Sequence, residues 1–90
     1  MMATDVTSRE TALAALRANP LIFFTDAHEA RIGDPEFDVT FDALGMDSLS
    51  RMELSIWIEL ELGLEVTEVE IQEMASLEGL ARFIAGASAR

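Results

Sequence analysis

The chain has 90 residues, a formal net charge of −11 at pH 7 and no cysteine. This length provides one hydrophobic core, and an apolar share of 50% indicates a globular domain rather than a disordered chain. With no cysteine and a single histidine, the chain offers no disulfide framework, no thiolate nucleophile and no zinc site of the common kind.

The acidic charge is unevenly distributed along the chain. All six basic residues are arginine, and eight glutamates but no basic residue lie between positions 52 and 81. A negative field repels nucleic acid and anionic lipid and attracts basic protein surfaces, although the same charge could serve solubility alone. No apolar run approaches membrane-spanning length, and the first residues do not resemble a signal peptide. We therefore expect a cytoplasmic monomer that binds neither nucleic acid nor membrane.

The first helix is predicted between a capping box at residues 7–10 and the pair Asn19 and Pro20. Residues 1–6 are expected to be a frayed end. The pair should end the helix, because the residue before a proline is pushed out of the helical region. The apolar face of this helix is thin, so it must pack against the rest of the chain to be stable.

Residues 20–41 form a long first loop. A capping pattern at residues 26–29 predicts a short helical turn. This turn is predicted to run to Ile32 and to stop at Gly33. Alternating apolar residues over 36–41 predict an extended segment that lays aromatic side chains on the core. Because Phe23, Phe24, Phe37 and Phe41 are too apolar for a solvated loop, we predict that residues 21–41 are ordered and pack aromatic side chains on the bundle.

A helix is predicted over residues 48–62, with Gly63 as its C-terminal stop and Trp57 half-buried. A small domain buries one apolar face of such a helix easily, so we expect a second face to stay in solvent until a partner covers it. The alternative is that both faces are buried, the second one beneath residues 21–41. The two faces are Leu49, Met52, Ile56 and Leu60 on one side, and Leu54, Ile58 and Leu62 on the other.

Two further helices are predicted near the C-terminus. Residues 67–70 form a capping box before a short helix, in which Val69, Ile71 and Met74 are the apolar positions. Ser76 is predicted to cap a last helix whose apolar residues recur at helical spacing, and Gly86 and small residues are predicted to close it.

The turn before residue 48 contains the most informative motif, Leu-Gly-Met-Asp-Ser-Leu at residues 44–49. Gly45 supplies backbone freedom for a tight turn, and Asp47 is a favoured N-cap because its carboxylate can accept from unpaired amides of the first helical turn. Ser48 is then the first helical residue. Its hydroxyl is exposed there, faces the positive end of the helix macrodipole and would tolerate an attached phosphodiester.

Together with Glu53, this motif closely resembles the attachment motif of acyl and peptidyl carrier proteins, and residues 41–86 are the best-matched region. The resemblance implies that residues 1–90 form a single carrier domain. The implied fold is an all-α four-helix bundle of the acyl-carrier type, with a short third helix and a long first loop. It also implies that Ser48 carries a 4′-phosphopantetheine arm taken from coenzyme A, within a motif that includes Gly45, Asp47 and Leu49. The thiol of that arm holds an acyl group as a thioester.

The resemblance implies a carrier that is a substrate of partner enzymes and is not itself an enzyme. The implied partners are a phosphopantetheinyl transferase, an acyltransferase or acyl-activating ligase, and a ketosynthase or other pathway enzyme. The resemblance also assigns one face of the helix over residues 48–62 to the core. The residues of that face are Leu54, Ile58 and Leu62. The predicted partner-docking residues are Leu49, Met52, Glu53, Ile56, Glu59, Glu68 and Met74.

Within the carrier proteins, the motif and residues 57–65 are more similar to polyketide-synthase carriers, with a peptidyl carrier of nonribosomal peptide synthesis as the alternative. A freestanding protein and a domain of a larger synthase both fit the sequence. A plain helical interaction module, with Ser48 as an ordinary helix-start serine, is a further alternative. An enzyme is disfavoured, because His28 is the single conventional base and the chain has no glycine-rich phosphate loop.

Overall fold

The computed structural model describes residues 6–88, and within this range the chain folds into a helical bundle. The predicted all-α fold is confirmed, but the long first loop contains a short helix of its own between the first and second helices of the predicted four-helix bundle. A 3₁₀ turn, Asp42–Leu44, precedes the longest helix. The α-helices are α1 (Val6–Arg17), α2 (Asp26–Arg31), α3 (Ser48–Leu62), α4 (Glu68–Met74) and α5 (Leu77–Ser88).

Two predicted boundaries of α1 have different outcomes. The capping box predicted at residues 7–10 is wrong, because α1 has already begun at Val6 and the Thr7 carbonyl accepts from Thr11 Oγ1 at 3.0 Å within the helix. The frayed end predicted for residues 1–6 therefore fails at Val6, and residues 1–5 lie outside the described residues. The predicted stop before Pro20 is confirmed, since α1 ends at Arg17.

The core lies where α1, α3, α4 and α5 meet. The most extensive packing is between α1 and α5, and it is made possible by the small buried side chains of Ala12 and Ala15, which let the two helices approach closely. This close approach explains how a helix with a thin apolar face is stabilised. The largest fully buried apolar side chains are Leu16, Leu54, Ile58, Ile71, Leu77 and Leu80.

The junction between α4 and α5 is only two residues long. Ala75 ends α4 in the left-handed conformation, with a φ of 66°. The predicted cap of α5 is confirmed, because Ser76 Oγ accepts the Gly79 N–H at 3.2 Å. Of the small residues predicted to close α5, Gly86 does not itself end the helix, which continues to Ser88. A glycine lowers helix propensity by about 1 kcal/mol, but it ends a helix only when its backbone turns left-handed, and Gly86 does not.

The long first loop is ordered, as predicted. Thr25, rather than Asp26, is the N-cap of α2, and it exchanges two hydrogen bonds of 3.1 Å with His28, whose Nδ1 accepts the Thr25 N–H. The helix ends at Arg31, one residue before the predicted Ile32, which is its C-cap, and Gly33 follows directly, although without the left-handed backbone of a typical glycine stop. His28 is thus a capping residue.

Two arginines of α1 hold this loop against the bundle. The buried Arg9 donates from Nη2 to three loop carbonyls, those of Ile32 (3.3 Å), Asp34 (3.0 Å) and Phe37 (3.0 Å). Arg17 binds both carboxylate oxygens of a glutamate in α2, Glu29, at 2.8 and 2.9 Å. This hydrogen bonding lowers the pKa of Glu29 and raises that of Arg17. These contacts explain why a connection of this length is ordered.

The extended segment predicted over residues 36–41 is confirmed in part: Glu36 lies in a turn and the Phe41 backbone is right-handed, so the segment is limited to residues 37–40. Val39 and Phe41 are buried, and their backbones bond to the α4–α5 junction: the Val39 carbonyl accepts the Leu77 N–H, and the Phe41 N–H donates to the Ala75 carbonyl, both at 2.9 Å. An isolated antiparallel bridge joins Thr40 to Ser76. The loop is therefore tied to α1 at one end and to α5 at the other.

None of the helices described here has both the length and the apolar character needed to cross a membrane.

Candidate functional site

The chain enters α3 through a tight turn, the Ser48 turn (residues 41–48). Gly45 is left-handed, with a φ of 76°, as its predicted role in a tight turn requires, and its N–H donates to the Asp42 carbonyl at 3.0 Å. Leu44 and Met46, on either side of the glycine, are both buried. The turn is therefore anchored in the core while its tip faces solvent.

Asp47 is the N-cap of α3, as predicted. Its Oδ1 accepts from both the N–H and the hydroxyl of Ser50 at 2.9 Å, and these hydrogen bonds lower the pKa of Asp47. Ser50 is itself buried, and its carbonyl accepts from Asn19 Nδ2 at 2.8 Å. The start of α3 is thus fixed by the turn before it and by Asn19, two residues after the end of α1. The sequence analysis missed Ser50 and Asn19; Ser50 stands at a capping position that could have identified it, whereas no local signal marks Asn19.

Ser48 is the first residue of α3, and its side chain is exposed. Its Oγ accepts from Arg51 Nη2 at 3.3 Å, and Arg51 Nε in turn donates to Glu68 Oε2 at 3.0 Å. Arg51 was not predicted as part of the site. Its place one helical turn after Ser48 is a signal that could have been read from the sequence.

The geometry does not activate Ser48 as a nucleophile. Arg51, its hydrogen-bond partner, is a donor rather than a base, and His28 is engaged in the cap of α2. Across residues 6–88, no group of three or more acidic or histidine side chains could hold a metal ion. The Ser48 hydroxyl is therefore presented to solvent with a hydrogen-bond donor, rather than a base, as its side-chain partner.

One apolar face of α3 lies in solvent beside Ser48. Its members Leu49, Met52, Ile56 and Leu60 are between 42% and 77% exposed, whereas Leu54 and Ile58 are fully buried. The alternative in which both faces are buried is therefore wrong. Trp57 is half-buried against the core, as predicted, whereas Leu62, which was predicted to be a core residue, is only partly buried. We call the exposed face, residues 49, 52, 56 and 60, the apolar stripe.

The other predicted docking residues occupy different environments. Glu53 and Glu59 are exposed on α3, next to the apolar stripe. Glu68 is half-exposed and forms an ion pair with Arg51, which brings the start of α4 to the Ser48 turn. Met74 is half-buried and packs against the core. On α4, Val69 is 61% exposed, although it was predicted as an apolar packing position.

A surface residue that the sequence analysis placed on the core lies beside the same turn. The Phe23 N–H donates to the Leu44 carbonyl at 3.2 Å, yet the Phe23 ring is 71% exposed. The nearby Leu21 is also exposed. Phe23 is thus the exception to the predicted packing of the loop aromatics, since Phe24 and Phe37 do pack against the core.

Together these features describe a small helical domain that presents one serine hydroxyl at a helix start, beside an exposed apolar face. A family model described as phosphopantetheine attachment site (PP-binding) matches residues 27–84, which is more than half of the chain. The chain belongs to this phosphopantetheine-binding family. Searches of curated proteins and of solved structures found no match.

Membership of the family has two direct consequences. The family carries a covalently attached 4′-phosphopantetheine, and its domains are generally non-catalytic carriers that work with phosphopantetheinyl transferases and pathway enzymes. The match begins at residue 27, within α2, whereas the attachment-motif resemblance covers residues 41–86. Helix α1 lies outside the match.

Proposed function

We propose that this chain is an acyl carrier domain and that Ser48 is the residue to which its 4′-phosphopantetheine is attached. The observation that carries the proposal is the placement of Ser48, within the family match, as an exposed hydroxyl at the first position of α3.

The surroundings of Ser48 fit a phosphodiester. The start of α3 presents backbone N–H groups and the positive end of the helix dipole, both of which favour an anion. Arg51 places a guanidinium within hydrogen-bond distance of the hydroxyl. Gly45 and Asp47 act on the backbone, by forming the turn and capping the helix, and Leu49 continues the apolar stripe next to Ser48.

Loading of Ser48 is a phosphoryl-type substitution in which a transferase supplies the base. The Ser48 Oγ attacks the phosphorus that bears the pantetheine group of coenzyme A, a new O–P bond forms, and adenosine 3′,5′-bisphosphate leaves. The hydroxyl proton passes to the base of the transferase, because the described part of this chain places none at Ser48. When bound, the arm supplies a thiol that holds an acyl group as a thioester.

We further propose a place in polyketide-type biosynthesis, supported by the motif at residues 44–49 and by residues 57–65. The partners would be a phosphopantetheinyl transferase, an acyltransferase or acyl-activating ligase, and a ketosynthase or other pathway enzyme. They would dock on the apolar stripe and on the exposed carboxylates of Glu53 and Glu59. Basic surfaces on these partners would complement the acidic rim.

An intact-mass measurement tests the attachment. The protein is incubated with coenzyme A and a broad-specificity transferase, and we expect the mass to increase by one phosphopantetheine group per chain. The gain should be absent in Ser48→Ala and retained in Ser55→Ala, a matched control on the same helix whose hydroxyl donates to the Met52 carbonyl. No gain in the parent, or a gain that survives Ser48→Ala, would contradict the proposal.

The cargo distinguishes the two kinds of carrier. We expect the protein isolated from its own host to carry a mass excess beyond the arm that corresponds to an acyl group of the polyketide type. An aminoacyl excess would instead favour a peptidyl carrier. A protein that carries no arm in its own host would favour the plain interaction module.

A further inference from the structure

The Arg51 guanidinium donates two hydrogen bonds at the start of α3. Nη2 donates to the Ser48 hydroxyl at 3.3 Å, and Nε donates to Glu68 Oε2 at 3.0 Å. The Arg51 side chain is only 18% exposed, because it lines a cleft with Phe41 and Met46. A long cationic side chain is thus already ordered at the hydroxyl, and little conformational entropy remains to be lost when it binds a group there.

The other arginines of the described chain are engaged elsewhere. Arg9 and Arg17 hold the long first loop, Arg31 lies over the Phe37 ring at 4.9 Å, and Arg82 pairs with Glu78 of its own helix at 3.2 Å. In a chain of net charge −11, an added anion at Ser48 would meet mostly repulsion. Arg51 is the basic side chain placed to oppose that repulsion.

We propose that Arg51 is a positioning residue for the phosphodiester on Ser48, an inference that rests on the proposed attachment of the group at this serine. Once Ser48 is esterified, its Oγ is a poor acceptor, and the negative charge lies on the non-bridging oxygens of the phosphorus, two bonds beyond Oγ. Nη2 then donates to one of these oxygens, in a charge-assisted hydrogen bond that is stronger than the bond to the hydroxyl. The base of the arm is thereby fixed relative to α3.

A contact between Arg51 and the phosphodiester would also affect the ion pair between Arg51 and Glu68. As the first residue of α4, Glu68 accepts from Nε of the same guanidinium whose Nη2 donates to Ser48. The phosphodiester and the Glu68 carboxylate therefore share one cation, so that modification of Ser48 weakens the hold of Arg51 on Glu68. Glu68→Gln should strengthen the contact between Arg51 and the phosphodiester.

Arginine side-chain resonances test the inference in the parent protein. The chain has six arginines and no lysine, so its Nε–Hε region is simple in ¹⁵N-labelled protein. We expect the Arg51 Nε–Hε resonance, assigned by its loss in Arg51→Lys, to shift when the parent is loaded, and the Arg82 resonance to stay in place. The ³¹P resonance of loaded Arg51→Met should differ from that of the loaded parent, with Arg51→Lys in between and Arg82→Met unchanged.

The outcomes distinguish a failure of the proposed attachment at Ser48 from a failure of the inference about Arg51. Intact mass first establishes whether Ser48 is loaded, and no gain in the parent overturns both the proposed function and this inference. A loaded parent with an unmoved Arg51 resonance overturns the inference alone. If Arg51→Met does not fold or load, the parent resonance still decides, since it requires no substitution for the comparison. Equal ³¹P resonances in the loaded parent and loaded Arg51→Met would likewise overturn the inference.

Discussion

At the scale of single residues, the carboxylate of Asp47 holds together the start of α3. It accepts two hydrogen bonds from Ser50, and these bonds favour its charged form, which lowers its pKa. Ser48 lies directly after this cap, so the direction in which its hydroxyl is presented depends on Asp47.

The lowered pKa of Asp47 predicts a specific dependence of stability on pH. A carboxylate with a lowered folded-state pKa stabilises the fold fully above its unfolded pKa of about 3.9, and this contribution is lost as the pH falls through the folded-state pKa. The free energy of unfolding should therefore be higher for the parent than for Asp47→Ala at neutral pH, and this difference should shrink on acidification below about pH 4. Glu61→Ala, which removes an exposed carboxylate of the same helix, controls for net charge. A difference between the parent and Asp47→Ala that stays constant down to pH 2 would contradict the prediction.

Gly79 shows a requirement that helix propensity alone would misjudge. A Cβ at this position would overlap the backbone carbonyl of Met74, where α5 crosses the end of α4. Gly79→Ala should therefore destabilise the protein by about 1–3 kcal/mol through overpacking, although alanine is the better helix former. Gly86→Ala is the matched control, because it lies in the same helix with open space around its Cβ, and it should be neutral or stabilising by about 0.5–1 kcal/mol. Chemical denaturation measures both, and equal effects would refute the packing argument.

At the scale of elements, α3 carries two apolar faces with different roles. The face with Leu54 and Ile58 is sealed in the core, whereas the apolar stripe lies in solvent. A monomer gains no stability from exposing four large apolar side chains along one helix. We therefore propose that a partner protein covers the apolar stripe.

The two faces of α3 should respond differently to truncation. Ile58→Ala leaves a cavity in the core and should lower the free energy of unfolding by about 2–4 kcal/mol. Met52→Ala removes a half-exposed side chain and should change it by about 1 kcal/mol or less. Equal losses in urea denaturation would show that the assignment of the two faces is wrong.

At the scale of the whole molecule, we propose that the acidic charge and the apolar stripe act on different steps of association with a partner. The chain carries 17 acidic residues against six arginines, and Glu53 and Glu59 lie beside the stripe. Complementary charge mainly raises the rate of encounter, while desolvated apolar anchors hold the complex once it has formed.

Two substitutions on α3 separate these steps in binding kinetics with a cognate transferase. Glu53→Arg should slow association severalfold at low salt, and added salt should shrink the difference by screening. Ile56→Ala should weaken the complex by about 1 kcal/mol, chiefly through faster dissociation and with little dependence on salt. Circular dichroism must first show that both variants are folded. If both bind like the parent at low salt, the docking surface lies elsewhere, and the acidic α4 is the next place to test.

The amino-acid sequence by itself determined the parts of this protein that depend on neighbouring residues. The bounds of α3, its cap at Asp47 and the left-handed Gly45 follow from hydrogen bonds and steric limits within a few positions. The class of protein followed in the same way, because the attachment motif is continuous in the chain.

Tertiary structure alone decided what depends on residues far apart in the chain. Arg9 contacts carbonyls more than 20 positions away, and Asn19 reaches Ser50 across 31 positions. The Phe23 backbone bonds to Leu44 at the Ser48 turn while its ring faces solvent, which no local pattern reveals. The same holds for the apolar stripe: periodicity places two apolar faces on α3, but which of them is buried depends on where the other helices pack.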